Sequence, residues 1–274
     1  MNKKIIKILK KVIPPIIFDI INLCKKKYGF FGDYASWEEA LKMTSSYESQ
    51  DILNKVRDSL AKVRDGQAVY ERDSVLFDKI EISFPLLCGL MMAALDNKGE
   101  LIIVDYGGSL GSTYFQNKNI LGYVVKSLKW NIIEQRNFIE CGKKEFETEE
   151  LKFYYSLEEC LRENSPNVLI LSSFLQYIDK PRDFIRKTLE FNFKYIIIDR
   201  TMFAETKENR DIVTVQVVPP EIYTASYPAW FFNKEKLVSF FSDRYTLINE
   251  FDCMDQHQIP GFTASGNGFV FRLK

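Results

Sequence analysis

The fold is decided by one stretch of the sequence, Leu101-Ile102-Ile103-Val104-Asp105-Tyr106-Gly107-Gly108-Ser109-Leu110-Gly111-Ser112. Its first four residues are apolar and partly β-branched, which predicts a strand buried on both faces of a sheet. Three glycines then fall within five positions, and glycine allows positive φ and lets a bound molecule approach the backbone closely. A buried strand that opens into such a loop predicts the ligand crevice of an open α/β sheet.

The residues around these glycines distinguish between two kinds of cofactor. A dinucleotide fingerprint, G-x-G-x-x-G, that starts at Gly107 needs glycine at two positions where this chain has Ser109 and Ser112. Asp105, at the strand tip, would repel a pyrophosphate and suits a cation, such as the sulfonium and α-ammonium of S-adenosyl-L-methionine. The alternative is a plain tight turn. The pattern resembles the first motif of the class I methyltransferases, which implies the cofactor-binding residues Asp105, Gly107, Gly108, Ser109 and Gly111.

Two later segments fit the same cofactor. Residues 130–135 predict a second strand that ends in Glu134 and Gln135, and an acid there can accept hydrogen bonds from both ribose hydroxyls. The alternative for Glu134 is a solvated strand end. Tyr155 and Ser156 follow a predicted third strand, where class I methyltransferases usually hold the adenine; the alternative is that Ser156 only caps the next helix.

A further buried strand, predicted over residues 167–173, ends in Ser172 and Ser173. The run that follows resembles the fourth-strand segment of small-molecule methyltransferases. That resemblance implies that the two serines line the methionine moiety of the cofactor, and that Gln176 and Tyr177 face the methyl acceptor.

The acceptor side is predicted from a less regular segment. Residues 219–231 are rich in proline and aromatic residues and have no clean period, which predicts a lid or substrate-facing loop. Within it, Tyr223 and Trp230 are the expected acceptor contacts. Aromatic walls suit a sugar or another amphipathic acceptor.

Methyl transfer to a hydroxyl group needs alignment and one base to remove the proton. His257, the only histidine, is the first candidate because histidine titrates near neutral pH, although a lone histidine is more often structural. Asp199, at the end of a predicted fifth strand, and Tyr227 are the other two candidates.

The motifs at 105–111, 134–135 and 172–181 are combined with the Ser226–Trp230 loop and a glycine-rich end. Together they resemble an uncharacterised family of class I S-adenosylmethionine-dependent methyltransferases associated with bacterial surface polysaccharide biosynthesis. The resemblance covers roughly residues 30–274. It implies a Rossmann-like, mostly parallel sheet of seven strands with an antiparallel last strand, and O-methylation of a sugar or another small or glycan-linked acceptor.

Two absences narrow the chemistry. No Asn/Asp-Pro-Pro-Tyr/Phe sequence follows the fourth strand, which disfavours amino methylation of adenine or glutamine by that motif. No clustered Asp-Asp-Asn set supports a catechol-type metal site, so we expect no metal.

The composition excludes other classes. Basic and acidic residues balance at 37 each, and no basic patch interleaved with aromatic residues lies beside the motifs, so nucleic acid is not an expected partner. The five cysteines are far apart and lack C-x-x-C spacing, which disfavours a disulfide framework or a zinc site and fits a reducing cytoplasm.

The first 27 residues differ from the rest, because eight lysines flank apolar runs there against a single acid, Asp19. The apolar runs are too short to span a membrane and no cleavage site follows. Two interpretations stay open: a basic amphipathic segment on the inner face of an anionic membrane, or a helix packed on the domain. The expected units are therefore a basic amphipathic segment, a helical extension and a methyltransferase domain, at residues 1–30, 31–98 and 99–274.

An alternative function is a non-catalytic protein of the same fold that binds the cofactor or a partner at a membrane surface. At the level of elements, capping boxes predict helices after Ser36 and Ser156. Residues 121–128 are predicted to form a helical segment before the second strand of the sheet.

Overall fold

The structure is a computed structural model and describes residues 28–44, 50–253, 259 and 261–274. Residues 1–27, which carry the predicted basic amphipathic segment, lie outside the described residues, and so does His257, the first candidate base. The predictions made for both stay predictions.

In the described part of the chain the strands are, in chain order, β1 (Gly29–Tyr34), β2 (Tyr70–Arg72), β3 (Val75–Phe77), β4 (Glu100–Tyr106), β5 (Ser127–Ile133), β6 (Leu151–Tyr154), β7 (Val168–Ser172), β8 (Tyr195–Glu205), β9 (Ile212–Val217), β10 (Ser226–Phe231), β11 (Tyr245–Asp252) and β12 (Thr263–Leu273).

The α-helices of the same residues are α1 (Trp37–Leu41), α2 (Gln50–Arg64), α3 (Phe84–Asp96), α4 (Ser112–Leu121), α5 (Arg136–Glu145), α6 (Leu157–Glu163), α7 (Pro181–Leu189) and α8 (Lys234–Ser239), with a short 3₁₀ helix at Leu175–Tyr177.

Seven strands form the main sheet, in the order β11-β12-β8-β7-β4-β5-β6. Strands β4 to β8 run parallel to one another, whereas β12 is antiparallel to both β8 and β11. This is the strand order and direction of the class I methyltransferase sheet. The predicted Rossmann-like fold, with seven strands and an antiparallel last strand, is therefore confirmed.

Helices cover both faces of this sheet, and this is why its parallel strands are continuously apolar. On one face, α2, α3, α4 and α5 pack around the buried Ile103 and Trp130. On the other face, α6, α7 and α8 pack around Leu169 and Ile196. The two cores hold the carboxyl ends of β4, β5, β7 and β8 at one edge of the sheet.

Both predicted capping boxes are present. The Ser36 hydroxyl accepts the Glu39 N–H, and Glu39 in turn accepts the Ala35 N–H. Ser156 caps α6 in the same way, with Glu159 as its partner. These local patterns fold as predicted because all their partners lie within four residues.

The predicted helical segment over 121–128 is wrong. Helix α4 ends at Leu121, residues 122–124 form a turn, and β5 begins at Ser127. The Lys126 N–H donates to the Gly99 carbonyl, so the chain already lies beside the start of β4 at this residue. Pairing with a neighbouring strand overrides the local helical pattern there.

The prediction that residues 219–231 form a loop is wrong for its second half. Residues 226–231 are β10, which pairs with β9 in a three-stranded antiparallel sheet, β1-β9-β10. Ala229 and Phe231 are buried in it, and β10 is an edge strand, where Pro228 is tolerated. Strand β1 belongs to the predicted helical extension, which therefore also contains strands, including the β2–β3 hairpin.

Among the described residues, every helix is too short or too polar to cross a membrane.

Candidate functional site

A cavity of about 440 Å³ opens at the carboxyl ends of β4, β5 and β7 and beside β8. This is the place where an open α/β sheet binds its ligands. Most of the predicted cofactor and acceptor residues line it, although they come from separate segments of the chain: Asp105, Gly107, Gly108, Ser109, Glu134, Ser172, Ser173, Gln176, Tyr177, Asp199, Tyr223 and Tyr227.

Two glycines shape the loop between β4 and α4. Gly107 has a φ of +78°, and a Cβ at this position would lie 2.5 Å from Cδ2 of Phe174. A Cβ at Gly108 would lie 2.6 Å from Cγ of Asp105, so glycine lets the loop fold closely over that carboxyl group. Ser109 also has a positive φ of +55°, and strained backbone of this kind clusters at binding sites.

Asp105 is buried beneath this loop. One of its oxygens accepts a hydrogen bond from Nε1 of Trp130 at 2.9 Å. Burial raises the pKa of the Asp105 carboxyl to about 7, although the Trp130 hydrogen bond opposes the shift. A cation bound in the cavity would favour the ionised form, so Asp105 couples cation binding to its own ionisation.

Glu134 follows β5 directly and lies in the cavity wall beside the glycine loop. Its Oε1 accepts the Gln135 N–H at 2.8 Å. Burial raises the pKa of the Glu134 carboxyl, while hydrogen bonds from the backbone of Gln135 and Ser109 act in the opposite direction. The carboxyl group thus connects the loops after β4 and β5. Its predicted contact with a ribose stays a prediction.

Tyrosine side chains line another part of the cavity. The Tyr177 hydroxyl donates to Oε1 of Gln216 at 2.9 Å, and the Tyr177 and Tyr227 rings meet edge to face at 5.2 Å. The hydroxyl oxygens of Tyr223 and Tyr227 are 3.5 Å apart. Burial raises the pKa of Tyr177 well above its ordinary value, so its phenol stays protonated and acts as a donor at neutral pH.

Asp199 lies in β8 and also lines the cavity. It is buried, its Oδ2 is 3.3 Å from Oγ of Ser172, and its Oδ1 is 3.7 Å from Sγ of Cys253. Burial is the main cause that raises the pKa of this carboxyl. A carboxylate with a raised pKa is a stronger base near neutral pH than an exposed one.

Gln176 joins the strand ends behind Asp199. Its Nε2 donates to Oγ of Ser173 at 3.2 Å and to the Arg200 carbonyl at 2.9 Å. Its buried Oε1 has no hydrogen-bond partner among the described residues. Gln176 therefore holds the wall of the cavity together through its amide nitrogen.

Trp230, predicted as an acceptor contact, does not line the cavity. Its ring stacks against Trp37 at 5.9 Å and against Phe232 at 6.3 Å, and its Nε1 donates to the Ile178 carbonyl at 3.0 Å. Residues in a strand alternate between faces, and the alternation in β10 turns Tyr227 toward the cavity and Trp230 toward α1. The structure thus makes Trp230 a packing residue.

Four predicted cofactor contacts also lie outside the cavity wall. Gly111 precedes α4 with a φ of +106°, and Gln135 is exposed at the start of α5. The Ser156 hydroxyl is used as the cap of α6, and the exposed Tyr155 ring has the Lys143 ammonium 4.4 Å from its centroid. For Ser156, the structure has the capping role that the sequence left open.

The structure adds residues that the sequence motifs did not indicate. The β2–β3 hairpin brings Glu71 and Asp73 to the cavity, where Glu71 accepts hydrogen bonds from Oγ of Ser112 and from the Ser74 N–H. Asp73 forms an ion pair with Arg200 at 3.2 Å. Asp73 and Ser74 both have positive φ, which is typical of a two-residue hairpin turn. The turn-forming pair Asp73-Ser74 directly before a short apolar run, residues 75–77, was the available signal.

The cavity is acidic. Its lining includes seven carboxyl groups and two guanidinium groups. Each guanidinium is already 3.2 Å from an acid, since Arg72 pairs with Glu81 and Arg200 pairs with Asp73. Such a lining favours a cation and disfavours a pyrophosphate.

No family model matches the sequence, and no curated protein matches it either. Among solved structures, the chain is similar to the N-terminal domain of EvdMO1 in the presence of SAH and D-fucose, with a TM-score of 0.48 and 9% identity over 84% of this chain and 100% of that chain. It is similar to the glycopeptide N-methyltransferase MtfA complexed with sinefungin, with a TM-score of 0.43 and 7% identity over 68% and 94% of the two chains. It is also similar to the N-methyltransferase NodS from Bradyrhizobium japonicum WM9 with S-adenosyl-L-homocysteine, with a TM-score of 0.41 and 12% identity over 80% and 98%. A likeness at this level says nothing about the activity or the acceptor of this chain.

Proposed function

We propose that this protein is an S-adenosyl-L-methionine-dependent methyltransferase that O-methylates a sugar or another small or glycan-linked acceptor. One observation carries the proposal. The glycine loop after β4 and the Glu134 carboxyl after β5 line the same acidic cavity of a class I methyltransferase sheet.

The residues present fit a cationic nucleoside cofactor. Glu134 would accept hydrogen bonds from the ribose hydroxyls, and the loop at Gly107 and Gly108 would carry the backbone past the ligand. Asp105 would stabilise the positive charge, because a nearby cation favours its ionised form. When bound, S-adenosyl-L-methionine supplies an electrophilic methyl group, and the protein binds and orients the two reactants.

The tyrosine wall supports an acceptor that carries hydroxyl groups. Tyr177, Tyr223 and Tyr227 line the cavity together, with their hydroxyl groups close to one another or to the Gln216 amide. Ring faces pack against the C–H face of a sugar, while the polar groups bind its hydroxyls. A sugar or sugar-linked acceptor is what the sequence resemblance implies.

Asp199 is the best-supported base of the three candidates. It is buried in the cavity wall beside Ser172, and its raised pKa suits removal of a proton from a hydroxyl group near neutral pH. Tyr227 is the second candidate in the cavity, and His257 keeps its place as a candidate from the sequence alone.

Calorimetric titration with S-adenosyl-L-homocysteine tests the cofactor assignment. We expect Glu134→Ala to weaken binding by about 1.5–3 kcal/mol, the usual contribution of hydrogen bonds to a charged group. Glu140→Ala, in the exposed part of α5, is the matched control and should bind like the wild type. Equal affinities for the wild type and Glu134→Ala would remove the main support for the proposal.

We place the protein in the cytoplasm, with residues 1–27 as a peripheral contact to the inner face of the membrane. The support is their lysine content and short apolar runs. If the protein binds the cofactor but transfers no methyl group to any hydroxyl-bearing acceptor, the non-catalytic alternative is favoured.

A further inference from the structure

Helix α3 has an apolar outer surface. Its inner face packs on the sheet through Leu86, Leu87 and Leu90. Its outer face carries four residues that we call the α3 stripe: Phe84, Cys88, Met92 and Leu95. Phe84, Met92 and Leu95 are 66%, 37% and 80% exposed, and Cys88 is exposed as well.

The α3 stripe is continuous. At 3.6 residues per turn its four side chains lie within an arc of about 80°, and they extend over about 16 Å of the helix. Asp96 is the only charged residue of the helix. A helix on the surface of a soluble domain normally turns a polar face outward, so an exposed apolar stripe marks an interaction surface.

Basic side chains surround the carboxyl end of the stripe. Lys98 follows the helix directly and is exposed, and Lys126 packs beside Gly99. Nζ of Lys194 is 2.6 Å from the Asp96 carbonyl, and Nη2 of Arg272 is 2.8 Å from Oδ2 of Asp96. The acids near these four basic side chains are Asp96 and Glu100, so the net charge at this end of the helix is positive.

The other end of the stripe is at the cavity. Phe84 and Pro85, in the first turn of α3, line the cavity described above. The stripe therefore leads from the cavity to the basic end of the helix.

We propose that the α3 stripe and its basic end dock on an anionic lipid bilayer. Apolar side chains beside lysine and arginine are the combination that binds such a surface, because the apolar groups enter the interface and the cations pair with acidic headgroups. This orientation holds the cavity next to the lipid surface. The proposal concerns the described domain and does not depend on methyl transfer or on residues 1–27.

Labelling of Cys88 in the full-length protein tests which surface covers the stripe. A water-soluble maleimide should modify Cys88 rapidly without lipid. Vesicles of phosphatidylcholine and phosphatidylserine should slow this reaction about tenfold or more. Mass spectrometry of the peptide that contains Cys88 measures the rate. Vesicles of phosphatidylcholine alone should protect much less. Slow labelling without lipid would mean that residues 1–27 or a second copy already covers the stripe, and would overturn the proposal.

Substitutions separate this surface from the N-terminal segment. Full-length Met92→Glu/Leu95→Glu adds two acids to exposed positions and should reduce vesicle co-sedimentation about tenfold or more. Leu247→Glu/Ile248→Glu, at similarly exposed positions of β11, is the matched control and should bind within about twofold of the wild type. Both variants should keep the thermal unfolding midpoint of the wild type, since all four side chains are exposed. Equal binding of the α3 variant and the wild type, or a change in oligomeric state without lipid, would contradict docking on a bilayer.

Discussion

The two walls of the cavity are built in different ways. The proposed cofactor wall comes from consecutive β-α units, β4 with its glycine loop and β5 with Glu134, and the parallel pairing of these two strands brings its residues together. The acceptor wall combines the hairpin at Glu71, the 3₁₀ segment at Tyr177 and strands β9 and β10. The parallel direction of neighbouring strands determines the first wall. The second wall depends on contacts between segments that are distant in the sequence.

This difference explains what could be predicted from the sequence. The strand before the glycines, the strand before Glu134 and the cap at Ser156 depend on neighbours within a few residues or on parallel pairing, and these elements are confirmed. The ribose contact of Glu134 stays a prediction. The position of Trp230 depends on stacking with Trp37, which is almost 200 positions away, and no local pattern reports such a contact.

The hairpin at residues 70–77 was missed for a related reason. Its strands are only three residues each, too short for a two-residue period to stand out. Two of its side chains are held by distant partners. Glu71 bonds to Ser112, which is 41 positions away in the sequence, and Asp73 bonds to Arg200, which is 127 positions away. Contacts of this kind need the fold first.

The largest expected effect tests whether the two walls share one reaction centre. Asp199→Asn removes the proposed base and should lower turnover about 10²- to 10⁴-fold on an acceptor with a free hydroxyl group, because general-base catalysis contributes on this scale. The affinity for S-adenosyl-L-homocysteine should change little, since the base acts in the transition state. Turnover is measured by radiolabelled methyl transfer to a panel of sugars, with the exposed Asp243→Asn as control. Unchanged turnover would exclude Asp199 as the base.

The second effect tests whether the close packing of the glycine loop at Gly107 requires glycine. Gly107→Ala combines positive φ with a clash against Phe174, and we expect a loss of about 2–4 kcal/mol in the free energy of unfolding. Gly66→Ala, which has φ +71° but no atom within 4 Å of its Cβ, carries the backbone strain alone and should lose about 1 kcal/mol. Urea unfolding measures both, and equal losses would mean that crowding at the loop is unimportant.

The third effect concerns the charge beneath the loop. The pKa of the Asp105 carboxyl is about 7 in the folded protein, whereas in the unfolded chain it has its ordinary value of about 4. Its contribution to stability is therefore lost as the pH rises from about 4 to about 7. The free energy of unfolding of the wild type should therefore fall between pH 5 and pH 8 relative to that of Asp105→Asn, by on the order of 2 kcal/mol.

Cofactor binding should show the opposite pH trend. A cation favours ionised Asp105, so the affinity of the wild type for S-adenosyl-L-methionine should rise from pH 6 to pH 8. In Asp105→Asn this rise should be flattened, as calorimetry at the two pH values would measure. The same pH profile in both proteins would mean that Asp105 does not sense the cofactor.

The smallest effect lies on the acceptor wall. Tyr177→Phe removes the hydrogen bond to Gln216 and should raise KM for the acceptor by a factor of about 3–10, equivalent to about 1 kcal/mol, without changing cofactor affinity. Tyr245→Phe removes a buried hydroxyl far from the cavity and is the control. A change in cofactor affinity in Tyr177→Phe would mean that Tyr177 does not act on the acceptor alone.

We expect the cavity to take an S-adenosyl nucleoside cofactor and to reject a dinucleotide. Isothermal titration of the wild-type protein with S-adenosyl-L-homocysteine and, separately, with NAD⁺ tests it most directly. The acidic lining and the interrupted glycine pattern predict saturable binding of S-adenosyl-L-homocysteine and no heat of binding with NAD⁺. Binding of NAD⁺ alone, or of neither compound, would contradict it.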